Sequence, residues 1–82
     1  MKKIIRVEAF EHYLECEIDN GDIFRFDMSY VLSSEGEMIQ HLKDLSFFKK
    51  VFIELGAITW PNGYDIHADT VIADGELIKS AL

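Results

Sequence analysis

Two runs of alternating apolar and polar residues, separated by a short turn sequence, constrain the fold of this 82-residue chain most. The first run places Leu14, Cys16 and Ile18 on one side of an extended strand, and the second places Phe24 and Phe26 on one side of the next. Between them, residues 19–22 read Asp-Asn-Gly-Asp, which is typical of a β-hairpin turn. We therefore expect an antiparallel hairpin with one apolar face.

The loop length of this hairpin decides which residues face each other. A two-residue loop would pair Glu17 with Phe24 and would place both phenylalanines among acidic side chains. A three-residue loop, with Gly21 in the left-handed conformation, shifts the pairing by one residue. The resulting pairs are Cys16 with Phe24, Leu14 with Phe26 and Glu15 with Arg25. Because this register buries both aromatic rings and opposes unlike charges, we predict the three-residue loop.

The rest of the chain predicts short strands and short helical segments. The expected elements are a strand around residues 5–9, a turn of helix capped by Ser29, a helix over residues 37–45, a further turn capped by Asp44, strands over residues 51–55 and 57–60, an extended piece at residues 65–67, and a last helical segment capped by Asp69, with Val71, Ile78 and Leu82 near one face. The order β-β-β-α-β-β-α predicts a single small α+β domain over residues 1–82, with helical segments packed on one face of an antiparallel sheet.

Composition excludes several classes of function. The chain has eight Lys and Arg residues against fifteen Asp and Glu, a formal net charge of −7, which disfavours binding to nucleic acid. The sequence contains no stretch of about 18 apolar residues and therefore predicts no membrane span. Cys16 is the only cysteine, so an internal disulfide is excluded, and we expect a cytoplasmic protein. A chain this short has a thin core, which favours self-association or a protein partner.

The second half of the chain carries a recognisable signature. Gly56 is followed by the run at residues 58–63, Ile-Thr-Trp-Pro-Asn-Gly, and then by Asp65, Ile66 and Asp69. This signature resembles that of the prokaryotic "domain of unknown function 2442" family. The earlier landmarks that agree with the family pattern are Val7, Asn20, Gly21, Asp27, Leu42, Asp44, Phe47 and Val51.

The resemblance covers roughly residues 4–72 and implies a small α+β domain of the bacterial cytoplasm without an established activity. Some longer relatives carry a helix-turn-helix domain, which implies a possible accessory role in a transcription regulator. Ala68 departs from the family pattern, because a proline usually stands at this position. We therefore expect a less rigid last turn in this chain.

The residue types that carry out catalysis are present without the spacing that catalysis needs. Cys16 has His12, His41 and His67 as candidate bases, but its place on an apolar strand face predicts a buried, unreactive thiol. The serines lack a nucleophile-elbow motif, and no glycine-rich phosphate loop precedes a helix. We therefore expect a protein without enzymatic activity and without a cofactor.

The most distinctive candidate binding surface is the turn around the single tryptophan. Trp60 and Tyr64 supply aromatic anchors, and the turn supplies rigidity and polar groups, which are features of ligand and peptide grooves. The alternative interpretation is a core tryptophan beside a turn that the fold requires. The residues of this candidate surface are Trp60, Pro61, Asn62, Gly63, Tyr64 and Asp65.

A second candidate site lies just beyond this turn. On an extended segment Asp65, His67 and Asp69 would point to the same side, where two carboxylates and an imidazole are able to bind a divalent metal ion. The alternative is that Asp65 stabilises the turn, Asp69 caps the following helix and His67 is solvated. We favour this second interpretation, because three ligands within five residues form a weak metal motif.

These observations favour a non-catalytic protein-interaction module. Its partner would be a second copy of the chain, or a small basic protein that the acidic charge attracts, as for an antitoxin-like regulator. Exposed strand edges would offer the pairing surface. The alternatives are a small-ligand or metal-binding domain near Trp60 and Asp69, and an accessory domain of a transcription regulator.

Overall fold

The computed structural model, which describes residues 2–82, arranges seven strands in two antiparallel sheets and includes four short helices. The elements are β1 (Ile4–Ala9), β2 (Tyr13–Ile18), β3 (Ile23–Asp27), α1 (Ser29–Leu32), α2 (Glu37–Leu42), α3 (Leu45–Phe48), β4 (Phe52–Glu54), β5 (Ala57–Thr59), β6 (Asp65–Ile66), α4 (Ala68–Asp74) and β7 (Glu76–Lys79). The predicted α+β class is confirmed. No helix in the described part of the chain is long and apolar enough to cross a membrane.

The four-stranded sheet has the strand order β1-β2-β3-β7, and its central hairpin has the predicted register. Cys16 lies opposite Phe24, and Glu15 lies opposite Arg25. The loop has three residues, since the amide of Ile18 donates to the carbonyl of Asp22 at 2.8 Å. Gly21 has a φ angle of 95°, which a residue with a side chain rarely adopts. The bulged hairpin is therefore confirmed.

The second sheet, β4-β5-β6, is an addition to the single sheet that the sequence predicts. Its hairpin β4–β5 lies against β1, and the amide of Ile4 donates to the carbonyl of Gly56 at 2.9 Å. In β5 every residue is buried. The hairpin therefore lies beside β1 at its Ile4 end.

Three helical turns connect the two sheets. Asp44 caps α3 as predicted, because its side chain accepts a hydrogen bond from the amide of Ser46. The prediction for Ser29 is wrong: this residue lies inside α1, and Asp27 accepts its amide hydrogen at 2.8 Å. This hydrogen bond holds the pKa of the Asp27 carboxyl below its ordinary value. The carboxylate two residues earlier is the better acceptor for the unpaired helix amide.

The last part of the chain differs from the prediction. The helix α4 ends at Asp74, and after Gly75 the residues Glu76–Lys79 form β7, which pairs with β3. Asp69 lies in the first turn of α4, whereas His67 occupies the capping position without a side-chain hydrogen bond. Gly75 is the C-cap of α4, and a side chain at this position would collide with the carbonyl oxygen of Val71. Ile78 and Leu82 therefore do not share a helix face with Val71.

The core is formed by the inner faces of the sheets and the helices that lie over them. Its largest fully buried side chains include Trp60, Phe48, Leu14 and Ile18. The outer face of the four-stranded sheet is polar, and there Arg6 forms ion pairs with Glu15 and Glu17. One face of each hairpin strand is therefore buried and the other is solvated, as the alternating sequence predicts.

Candidate functional site

Trp60 lies in the core and is not an exposed anchor. Its side chain has 0% exposure, and its indole Nε1 donates to the carbonyl of Phe48 at 2.9 Å. The ring stacks on Phe48 with centroids 5.7 Å apart and contacts Tyr64 at 5.8 Å. Because every polar and apolar group of this side chain has a partner inside the protein, Trp60 is unable to serve as the surface anchor that the sequence suggested.

The turn after Trp60 connects β5 to β6 and is tied to α2. Asn62 donates from Nδ2 to the carbonyl of Met38 at 3.0 Å and accepts from the amide of Tyr64 at 3.2 Å. Pro61, Gly63 and Asp65 are exposed. The asparagine of the signature thus has a structural role, because it joins the turn to a helix 24 residues earlier in the chain.

The candidate metal site is not assembled. His67 Nε2 lies 3.5 Å from Asp65 Oδ2, but the chain turns into α4 directly after His67, so the alternation needed to bring Asp69 to the same side is lost. No group of three or more His, Cys, Asp or Glu side chains suited to a metal ion occurs within residues 2–82. A shallow pocket of about 150 Å³ beside His67 and Asp69 is lined by Lys2 and Lys3, whose positive charges disfavour a cation.

Cys16 is buried on the inner face of β2, as predicted. Burial raises the pKa of its thiol to about 12, although the positive charge of Arg6 opposes this change. The thiolate required of a nucleophile is therefore scarce at neutral pH. Of the three candidate bases, His12 and His67 pair with neighbouring carboxylates and His41 packs against Phe47.

The outer edge of β7 is a surface that the sequence analysis missed. All four residues from Glu76 to Lys79 are exposed, and β7 is the last strand of its sheet. Glu76 lies opposite Arg25, and Leu77 lies opposite Phe24. Beyond the strand, the amide of Ala81 donates to Asp22 Oδ1 at 2.8 Å. The sequence feature that could have indicated this strand is Gly75, which is followed by a short run containing Leu77 and Ile78.

A second pocket, of about 200 Å³, opens beside the helical segments. Its floor and walls are apolar and come from Leu32, Leu42, Leu45 and Phe48. Its rim carries the side chains of Glu11, His12 and Lys43. We call it the helical pocket. No residue of the predicted turn site, Trp60 to Asp65, contributes to it.

The structure thus defines a small α+β protein of two antiparallel sheets with an open strand edge and a helical pocket. Residues 4–76 match the family described as "Protein of unknown function (DUF2442)", and the chain belongs to this family. The family resemblance predicted from the Trp-Pro-Asn-Gly region is therefore confirmed. No curated protein and no solved structure shows significant similarity to the chain.

Proposed function

We propose that this chain is a non-catalytic protein-interaction module that forms a homodimer by pairing β7 of one copy with β7 of a second. The observation that supports this proposal is the open outer edge of β7, defined as residues Glu76–Lys79, all of which are exposed. An unpaired strand edge presents backbone donors and acceptors that a second strand is able to satisfy.

The side chains near this edge add apolar surface to the backbone hydrogen bonds. Leu77 is 50% exposed and Ile78 is 47% exposed. Both of these large apolar side chains belong to β7 itself. Their burial against a second copy would remove apolar surface from water, which is the main source of stability in homodimer interfaces.

The charges of β7 are compatible with self-pairing. When a twofold axis relates two antiparallel strands, odd-numbered residues lie opposite odd-numbered ones and even-numbered residues opposite even-numbered ones. The centre of the pair is therefore either two Leu77 residues or two Ile78 residues. In the first register Lys79 faces Gly75, and in the second it faces Leu77. Neither register places like charges directly opposite, an arrangement that would destabilise the pair.

The opposite edge of the same sheet is less suited to a partner. The hairpin β4–β5 lies against β1, and the carbonyl of Gly56 already accepts the amide hydrogen of Ile4. We therefore assign the interface to β7. The partner of opposite charge, the ligand or metal role near Trp60 and the role in a transcription regulator stay predictions without a further supporting observation.

Two isoleucines at the two edges of this sheet provide a matched test. Both Ile78 in β7 and Ile5 in β1 lie where the strand register shifts, and both are about half exposed. We expect a dimer of the wild-type chain by native mass spectrometry and analytical ultracentrifugation. Ile78→Asp should raise the dissociation constant at least about tenfold, because it places like charges opposite each other in both registers: against Glu76 in the first and against its own copy in the second.

The control variant Ile5→Asp should leave the dissociation constant within about twofold, since β1 is not part of the proposed interface. Circular dichroism should confirm that both variants remain folded. A monomeric wild-type chain at concentrations of tens of micromolar, or equal weakening by the two substitutions, would refute pairing through β7. A monomer that associates only with an added basic protein would favour the alternative partner class.

A further inference from the structure

The helical pocket lies on a part of the molecule that the proposed dimer does not use. It opens between α1, α2 and α3 and the turn that joins β1 to β2. Leu42 and Phe48 are buried at its base, whereas Leu45 is 42% exposed at its wall. The pocket therefore joins the core to solvent through an apolar surface.

The size of the pocket limits what it is able to hold. A closed apolar cavity of about 150 Å³ in a protein accommodates benzene. The helical pocket has a volume of about 200 Å³ and is open on one side. It therefore admits a branched four-carbon side chain or a single ring, with polar groups of the ligand left at the mouth.

The mouth of the pocket carries charges of both signs. Lys43 forms no ion pair with any residue in the part of the chain that the structure describes, and it directly follows the last residue of α2. The carboxylate of Glu11 lies 3.4 Å from the imidazole of His12, and its side chain is 74% exposed. A ligand with only one charge would meet an unlike charge and a like charge at this mouth.

The backbone at the mouth is held in an unusual conformation. His12 has a φ angle of 70°, although it is not a glycine. Its carbonyl accepts the amide hydrogen of Met28 at 2.8 Å, which fixes the turn against the start of α1. Histidine is among the residue types other than glycine that adopt this conformation most often. The turn therefore holds Glu11 and His12 in place beside the pocket.

From these features we infer that the helical pocket binds a small zwitterionic amino acid with a branched apolar side chain, such as leucine. The side chain would contact Leu42 and Phe48, the carboxylate would approach Lys43 and the ammonium group would approach Glu11. This assignment uses both charges of the mouth and the apolar base together. It does not depend on the proposed dimer, whose β7 edge contributes no residue to the pocket.

The test uses leucine and three analogues that remove one feature at a time. 4-Methylpentanoate lacks the ammonium group, 3-methylbutylamine lacks the carboxylate, and N-acetyl-leucinamide carries neither charge. Each compound is titrated into the ¹⁵N-labelled chain, and amide chemical shifts are followed. We expect leucine to shift resonances around residues 11–12 and 42–48 and to bind about two- to fivefold more tightly than each analogue, since each charge contact is exposed to solvent.

Two variants assign the charges separately. Lys43→Met should abolish the preference for leucine over 3-methylbutylamine, because the carboxylate loses its partner. Glu11→Gln should abolish the preference for leucine over 4-methylpentanoate, because the ammonium group loses its partner. Lys50→Met, which replaces an exposed lysine outside the pocket, is the control and should leave both preferences unchanged.

Several results would overturn the inference. Absence of leucine-dependent shifts around the pocket would exclude the site. Equal binding of leucine and N-acetyl-leucinamide would indicate a seat for an apolar side chain of a partner protein instead of a free amino acid. Equal loss in Lys43→Met and Lys50→Met would show that the charge contacts are nonspecific.

Discussion

At the scale of single residues, the polar atoms of the signature region hold the fold together from inside. Trp60 Nε1 reaches the carbonyl of Phe48, and Asn62 reaches the carbonyl of Met38. Both acceptors belong to the helical segments that precede β4. The signature therefore links the second sheet to these segments, and its residue types follow from the hydrogen bonds they make inside the protein.

Substitution of Trp60 should reduce stability more than association. Trp60→Ala removes a fully buried side chain, and we expect the free energy of unfolding to fall by about 3–5 kcal/mol in urea titrations followed by circular dichroism. Trp60→Phe keeps an aromatic ring but leaves the Phe48 carbonyl without its donor, for which we expect a smaller loss of about 1–3 kcal/mol.

The same two variants test the earlier anchor hypothesis directly. Their dimer dissociation constants, measured on the folded fraction without denaturant, should stay within about twofold of the wild type, since Trp60 contributes no surface to an interface. Unchanged stability together with weakened association of Trp60→Ala would restore the interface role.

At the scale of elements, the strands before α4 were predictable from the sequence, whereas the last strand, β7, was not. The alternation in residues 14–26 specifies both faces of the hairpin, and burial of Phe24 and Phe26 selects the register. The segment after Asp69 has no such alternation, and its spacing of apolar residues also suits a helix. The residues after Gly75 form a strand because the edge of β3 is available to pair with them, and this pairing is a tertiary feature.

The candidate site shows the same division between local and tertiary information. The buried, unreactive Cys16 followed from strand alternation alone. The burial of Trp60 and the two pockets depend on how segments distant in the chain pack together, and no local pattern specifies them. Sequence reasoning therefore identified Trp60 as a residue that matters and left two environments open for it, of which the structure shows the core one.

Gly75→Ala tests the contact that ends α4. The backbone of Gly75 has a φ angle of −82°, which alanine adopts easily, so the expected effect comes from the collision with the Val71 carbonyl. We expect the free energy of unfolding to fall by about 1–3 kcal/mol in urea titrations. Backbone amide shifts should locate the change in β7.

Gly36→Ala is the matched control, since an added methyl group there would lie 3.6 Å from Ile39, an ordinary contact. Its expected cost is about 0.5–1 kcal/mol, the difference between glycine and alanine at a helix N-cap. Equal effects of the two substitutions would mean that the contact at Gly75 does not determine the end of the helix.

At the scale of the whole molecule, charge distinguishes the two partner classes. Each chain carries a formal net charge of −7, so two copies repel each other before they meet. A basic partner would instead be attracted. Salt screens both effects, since the Debye length is about 10 Å at 0.1 M ionic strength. The direction of the salt dependence therefore reports which kind of partner the chain has.

We expect the homodimer to become tighter as salt increases. Raising the NaCl concentration from about 0.05 to 0.5 M should lower the dissociation constant by about two- to tenfold in sedimentation equilibrium experiments. Asp74→Asn, which removes one exposed charge next to β7, should show a smaller response. A dissociation constant that rises with salt would mean that attraction between unlike charges holds the dimer together.

The hydrogen bond between Ile4 and Gly56 has a consequence for how far assembly proceeds. The β4–β5 hairpin lies against β1 at Ile4, so a strand added on that side would meet an obstacle that β7 does not present. Two copies paired through β7, as proposed, would both turn this obstructed side outward, and a third copy would find no second β7 edge there. The hairpin would therefore favour a closed pair over an open-ended fibre.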